Sequence, residues 1–264
     1  MDFELDFEKS VEENASLYFE KSKKAKRKLD GLAKAIAITR KSIAEQPEKK
    51  TEKKMPAKKR KLKWFHSFRW FFSSDNFLVV GGRSAKSNEQ IVKKHMDEKD
   101  VFIHADVQGG SVCVVKSEGQ EIPDSTLFEA AQFAAVFSKA WKKGTASVDV
   151  YGAPAPQISK SAPSGTSLGT GSFMVYGKRH WFRKTPLRLA VGLDSEGFAI
   201  AGPSDSIKKH SSVSIELIPG NGAANPSAKK ILSTLRKKSK EGVQASIDDV
   251  VKLLPPEGIE VLSG

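Results

Sequence analysis

Apolar positions along this chain follow one period up to about residue 46 and other periods beyond residue 64. Between Val11 and Ile43 they recur at helical spacing (Val11, Ala15, Tyr18/Phe19, Leu29, Leu32/Ala33, Ile36, Ile43), thinly from 20 to 28. Ser10 with Glu13 three residues on is a capping box, so a helix is expected over 11–46. Its apolar stripe is too thin to stand alone. The pattern predicts an antiparallel partner helix from about Pro56 into the aromatic block, with Gln46 to Lys54 as the hairpin tip. The other reading of KKTEKKMPAKKRKLK is a solvated, disordered charge run.

From Trp64 the pattern turns to strands. Arg69–Phe72 and Phe77–Val80 flank Ser73-Ser74-Asp75-Asn76, short polar residues that favour a turn, and so read as a hairpin. Gly81-Gly82 ends the second strand, where the backbone must turn or approach a neighbour closely. A helix follows, capped by Ser87 with Gln90, or by Ser84 as the rival cap. Asn88, Ile91, Val92 and His95 share its inner face, which leaves Lys93 and Lys94 toward solvent. Val101–Ile103 and Ser111–Lys116 are strands. Thr126 with Glu129 caps a second helix, expected to run through Trp141 and to end at Lys142-Lys143-Gly144. Val148–Tyr151 is a strand and Gly152–Pro156 a rigid connector. Lys184–Leu193 with Phe198–Ala201, Ser211–Ile218 and Ile259–Leu262 read as strands; Ala228–Lys238 and Ile247–Leu254 read as helices. The expected fold is α+β, a mixed β-sheet domain with packed helices over 64–264. A short basic helical arm of coiled-coil hairpin type, 1–63, precedes it.

Charge changes the functional picture more than composition does. The net charge is +13 over 264 residues, with about −6 in residues 1–20 and about +14 in 21–63. A surplus placed this way predicts an anionic partner, with the arm supplying much of the non-specific phosphate affinity. Cys113 is the only cysteine, so no intrachain disulfide or paired-cysteine zinc site forms, and between Val112 and Val114 it reads as a small core residue. No apolar run reaches the ~20 residues of a membrane helix. The acidic start MDFELDFEKS is no secretory signal. A soluble, cytoplasmic protein without membrane contact is expected.

Enzyme chemistry is thinly represented. GTSLGTGS is glycine-rich but lacks the Gly-Lys-Ser/Thr ending of a phosphate loop. His104 and Asp106, two apart, would share one side of a strand and could ligate a metal or move a proton, yet no third ligand stands near. Asp75, Arg83, Asn88, His104, Asp106 and Gln108 cluster at strand ends and turns, where sites tend to be built. Ser159–Arg179 is the second candidate region. Its small residues would let a sugar-phosphate backbone approach, and Lys178-Arg179-His180-Trp181 mixes cations with aromatics suited to stacking on unpaired bases. Turn geometry followed by a charged edge strand is the structural alternative.

The blocks FRWFFSSDNFLVVGGRSAKSNEQIVKKHM, DVFIHADVQGGSVCVVK, TLFEAAQFAAVFSKAWKKG and SKSAPSGTSLGTGSFMVYGKRHWF stand in order across most of residues 64–182. Together they resemble the NFACT-R domain of the NFACT family, the ribosome quality-control proteins that include the nuclear export mediator factor. SVEENASLYFEKSKKAKRKL is similar to part of that family's coiled-coil segment. Ser84 stands where an acidic residue is common and Gly110 where alanine is usual. The family's N-terminal domain and helix-hairpin-helix region have no counterpart here, which leaves tail elongation of stalled chains open. The resemblance implies a non-catalytic RNA-binding module for tRNA or ribosomal RNA on the large ribosomal subunit, with no cofactor, no metal and no catalytic residue. The expected contacts are Arg69, Arg83, Lys93, Lys94 and His104 in one group, and Lys160, Ser161, Lys178 and Arg179 in another. The rival readings are an adaptor that binds a protein partner, or itself, through the arm, and a nucleic-acid-processing enzyme using His104 and Asp106.

Overall fold

The computed structural model describes residues 5–44, 60–107, 109–161, 168–239 and 242–262. The chain divides into two compact units, Met1–Ala57 and Lys58–Gly264. In the first, α1 (Val11–Ala44) opens on the expected capping box: the Glu13 N–H donates to Ser10 Oγ at 3.2 Å and the Ser10 N–H to Glu13 Oε2 at 2.9 Å. Its apolar side chains Phe19, Leu29, Leu32, Ile36 and Ile38 are exposed. The hairpin tip and the first residues of the predicted partner helix, 56–59, fall outside the described residues, and the described remainder is not the expected helix. From Arg60 to Lys63 the chain is not helical, and only the 3-10 turn Trp64–Ser67 follows.

The second unit holds a six-stranded sheet in the order β1-β2-β4-β3-β5-β8. Its strands are β1 (Arg69–Phe72), β2 (Leu78–Gly81), β3 (Val101–Ala105), β4 (Val112–Val115), β5 (Ser147–Pro154) and β8 (His180–Pro186), each pair antiparallel. Alternate side chains go to two separate cores. Phe71, Val79, Ile103, Cys113, Val115 and Val150 face one core; Val80, Phe102, Val112, Val114 and Tyr151 face the other. Burial on both sides explains why VFI and VCVV show no polar alternation.

The first core lies under α3 (Asp124–Val136) and continues into a four-stranded sheet, β10-β9-β11-β12. That sheet is built from β9 (Leu189–Leu193), β10 (Ala199–Gly202), β11 (Ser214–Ala223) and β12 (Glu257–Val261). The helices α6 (Ala224–Lys238) and α7 (Ile247–Leu253) bury Ile231, Leu232, Leu235 and Val250 against it. The second core lies under the 3-10 turn, α2 (Ala85–Lys94) and the two-stranded ribbon of β6 (Ile158–Ser159) and β7 (Met174–Val175).

Several sequence expectations shift. Ser84, not Ser87, is the N-cap of α2, because Ser84 has the extended backbone a cap needs and Ser87 takes the reciprocal third position. Thr126 and Glu129 form no capping box. Both are buried, and they bond the β1–β2 turn instead: Thr126 Oγ1 to Asp75 at 2.9 Å, and the Ser74 N–H to Glu129 at 2.9 Å. The expected helix through Trp141 breaks at Phe137–Ser138, and α4 (Lys139–Lys142) restarts from a Ser138 cap. Gly152–Pro154 extends β5 rather than forming a connector. Lys184–Leu193 is two strands in two sheets, parted at Leu187-Arg188, and α5 (Ser204–His210) stands where no element was expected. The outer strand β8 is kinked by a bulge opposite Val148–Val150 and by Lys184 at φ 50°.

Candidate nucleic-acid interface

The break between α3 and α4 builds a cleft. Ser138 Oγ donates to the Ala135 carbonyl at 2.7 Å and accepts the Ala140 N–H at 3.1 Å, so the chain leaves one helix and starts another at once. That turn brings Lys139 and Lys142 to face the start of α2. Between them lies a cavity of about 660 Å³. The Gly82–Ala85 segment, the end of β3, Gly109–Val112, Thr170–Phe173 and Pro255-Pro256 complete its walls.

Close backbone approach shapes these walls. A Cβ on Gly82 would sit 1.8 Å from Asn88 Oδ1, and one on Gly171 would meet the Ala85 Cα at 2.7 Å with φ already at +76°. The Gly171 N–H donates to the Glu89 carboxylate at 3.1 Å, which holds the 170–173 turn onto α2. Only glycine fits either position without displacement.

The lining carries Arg69, Arg83, Lys139, Lys142 and His104, beside Phe102, Phe137, Trp141, Tyr151 and Phe173, and it includes no Asp or Glu. Arg69 lies 4.3 Å over the Phe137 ring and donates to the Gly82 carbonyl at 2.7 Å. Burial first, and then Arg83, pull its guanidinium down to about 10. Arg83, itself lowered by burial, donates to the carbonyls of Lys252 at 3.0 Å and Phe68 at 3.1 Å. His104 stacks on Phe102 at 6.2 Å, and burial pushes its imidazole below the usual histidine range. Among the described residues the buried side-chain polar atoms without a partner are Arg69 Nε, His104 Nδ1, Trp141 Nε1 and Ser204 Oγ; the first three belong to side chains of this cleft.

Of the nine candidate residues, Arg69, Arg83 and His104 therefore meet in one place. Lys93 and Lys94 are exposed farther along α2, and Lys93 Nζ pairs with Glu89 at 2.6 Å. Lys160 is spent inside the fold: its ammonium donates to the carbonyls of Gly169 at 2.8 Å and Ser172 at 3.0 Å and approaches Glu89 at 3.4 Å. The backbone N–H of Ser161 bonds Ser159 Oγ at 3.0 Å, and residues 162–167 of that loop lie outside the described residues. Before β8, Lys178 is exposed and Arg179 half-buried. Arg179 rests 4.5 Å over Tyr151, which lines the cleft, so the second group adjoins the first there. Gln108 falls outside the described residues. Asp106 donates its N–H to the Asp149 carbonyl at 2.8 Å, and no cluster of three metal-ligating side chains occurs among the described residues. Sequence reasoning missed Lys139 and Lys142 by placing them at the end of a continuous helix. The signal that could have found them was the cap-forming Ser138 inside the small-residue run.

Residues 67–177 match the family profile described as NFACT protein RNA binding domain. The archaeal Rqc2 homolog aRqcH of Methanocaldococcus jannaschii is 36% identical over 77% of this chain and 30% of its own length. The ribosome quality control complex subunit NEMF homolog of Drosophila melanogaster is 37% identical over 72% of this chain and 20% of its own. The chain thus spans less than a third of these relatives' length. The solved C-terminal part of the fibronectin/fibrinogen-binding protein from Streptococcus suis matches at 21% identity and a TM-score of 0.39, over 67% of this chain and 77% of that one. Through the RNA-binding domain that its residues 67–177 form, the chain belongs to the NFACT family.

Proposed function

We infer that this chain is a non-catalytic RNA-binding module with a role in ribosome quality control, gripping tRNA or large-subunit ribosomal RNA chiefly through phosphates. The observation that carries the reading is the cleft's cation-rich, carboxylate-free lining, whose cations all fall in the stretch matched by the RNA-binding profile. Arg69, Arg83, Lys139, Lys142 and His104 form its inner contacts; Lys93, Lys94, Lys178 and Arg179 extend the field over the surrounding surface. Lys160 acts by holding the Gly169 and Ser172 carbonyls, and Ser161 by its local bonds to Ser159, rather than by touching the ligand. Phosphate contacts give affinity with little sequence discrimination. Crosslinking the protein to RNA in lysate and sequencing the attached molecules should enrich tRNA and large-subunit RNA. Messenger RNA alone, or no RNA at low ionic strength, would sink the reading.

One observation favours a second reading. α1 presents Phe19, Leu29, Leu32, Ile36 and Ile38 to solvent, and an amphipathic helix of this kind can dock a protein partner or a second copy of itself. Removal of residues 1–57 separates the two: an adaptor loses its partner, whereas the RNA module keeps its preference for structured RNA at lower affinity.

A further inference from the structure

We propose that the cleft between α2 and α4 receives a single unpaired nucleotide of the RNA, its base against the aromatic floor and its phosphate at the Arg83–Lys139 rim. The proposal rests on the RNA-binding reading and adds which part of an RNA the site selects. Four features argue for it. The cavity, about 660 Å³, falls in the range that small ligands occupy and is far too small to enclose a duplex. Five aromatic rings line it, and every base has a face that can stack on one. Arg69 and Arg83 stand close enough to disfavour each other's charge, which an anion between them would relieve, and the lining includes no Asp or Glu. Finally, the Arg and Lys side chains of the lining can only donate hydrogen bonds, so a ligand they hold must bring acceptors, as the ring nitrogens, carbonyl edges and phosphate oxygens of a nucleotide do. A fully paired helix keeps its bases inside the stack and could offer the cleft nothing but backbone.

The test compares two RNA hairpins of equal length, one fully paired and one with a single bulged 2-aminopurine, binding to the whole chain. The bulged hairpin should bind about tenfold tighter, the worth of one base–aromatic stack, with a change in 2-aminopurine fluorescence on binding. Thr170 is exposed on the cleft rim, which makes Thr170→Glu a way to place a carboxylate there without disturbing the core. That variant should lose the preference and the fluorescence change, while Thr170→Gln, of the same size, keeps both. Equal binding of the two hairpins with silent 2-aminopurine overturns the proposal and leaves the RNA reading standing. So does a bulge preference that Thr170→Glu leaves intact. Failure to bind either hairpin at low ionic strength overturns the RNA reading itself.

Discussion

Asp100, at the foot of β3, is the residue whose loss the fold should feel most clearly. Its carboxylate is 1% exposed. It accepts the Asp97 N–H at 2.8 Å, the Ser117 N–H at 2.8 Å and the ammonium of Lys116, a side chain that is itself only 10% exposed. Asp100→Ala leaves a buried cation short of its closest partner and two N–H groups with no acceptor. Breaking a buried pair from one side costs about 3–5 kcal/mol. Here the lower end applies, because Lys116 keeps the His95 carbonyl and the exposed Asp97 carboxylate, each at 2.6 Å. About 3 kcal/mol in a domain of this size lowers the melting temperature by roughly 6–12 °C. Asp100→Asn should rescue little, since both carboxylate oxygens accept from donors and the amide nitrogen would oppose either the Lys116 ammonium or the Ser117 N–H. Urea denaturation of Asp100→Ala, Lys116→Met and the double variant gives the test. The double should lose clearly less than the sum of the singles. A loss under about 1 kcal/mol for Asp100→Ala, or strict additivity, would refute this account of the pair.

Three further outcomes follow from the geometry. Glu89 is held down to about 2, first by Lys93 and then by the Gly171 N–H. With its folded value depressed, its contribution is full above the ordinary 4.5 and fades as pH falls toward 2; carboxyl NMR should find it titrating well below the other glutamates, and a midpoint near 4.5 would remove it as the clasp of the 170–173 turn. Gly171→Ala forces a side chain into a left-handed backbone against Ala85, costing about 1–2 kcal/mol in a denaturant titration and loosening the cleft wall; a neutral result would mean the turn does not rest on α2. Burial raises the Cys113 thiol to about 12, so a thiol reagent at pH 8 should leave the folded protein unlabelled and react only after denaturation, and rapid native labelling would contradict the buried placement.

Much of the strand order was readable because turns announce themselves. Ser73–Asn76 and the Gly81-Gly82 pair delimit β1 and β2 to within a residue of the expected spans. Cys113 was read as core and is core. What failed was what depends on distant partners. Thr126 and Glu129 have the spacing of a cap, yet the β1–β2 turn, some fifty residues away, claims their side chains. The α3–α4 break hid in a run of alanines and aromatics whose period is helical on both sides of Ser138. Consequently Lys139 and Lys142 were passed over as site residues. Lys160 fell the other way: a lysine in a glycine-rich loop looks available for phosphate, and only the folded loop shows its three donors facing Gly169, Ser172 and Glu89. The cleft was half legible, through Arg69, Arg83 and His104, because those residues sit at strand ends that the local pattern does reveal.

The kinked outer strand has a consequence for how this domain behaves when many copies crowd along one polymer. A straight, bare strand at a sheet's rim invites the same strand of a neighbour to zip onto it. β8 discourages that partnership by its bulge, by the left-handed backbone at Lys184 and by the exposed Lys184 side chain. The irregularity that bends this strand is thus also what keeps the sheet from growing into a neighbouring copy. Any redesign that straightened the strand, by removing the bulge or the left-handed turn at Lys184, would remove this safeguard.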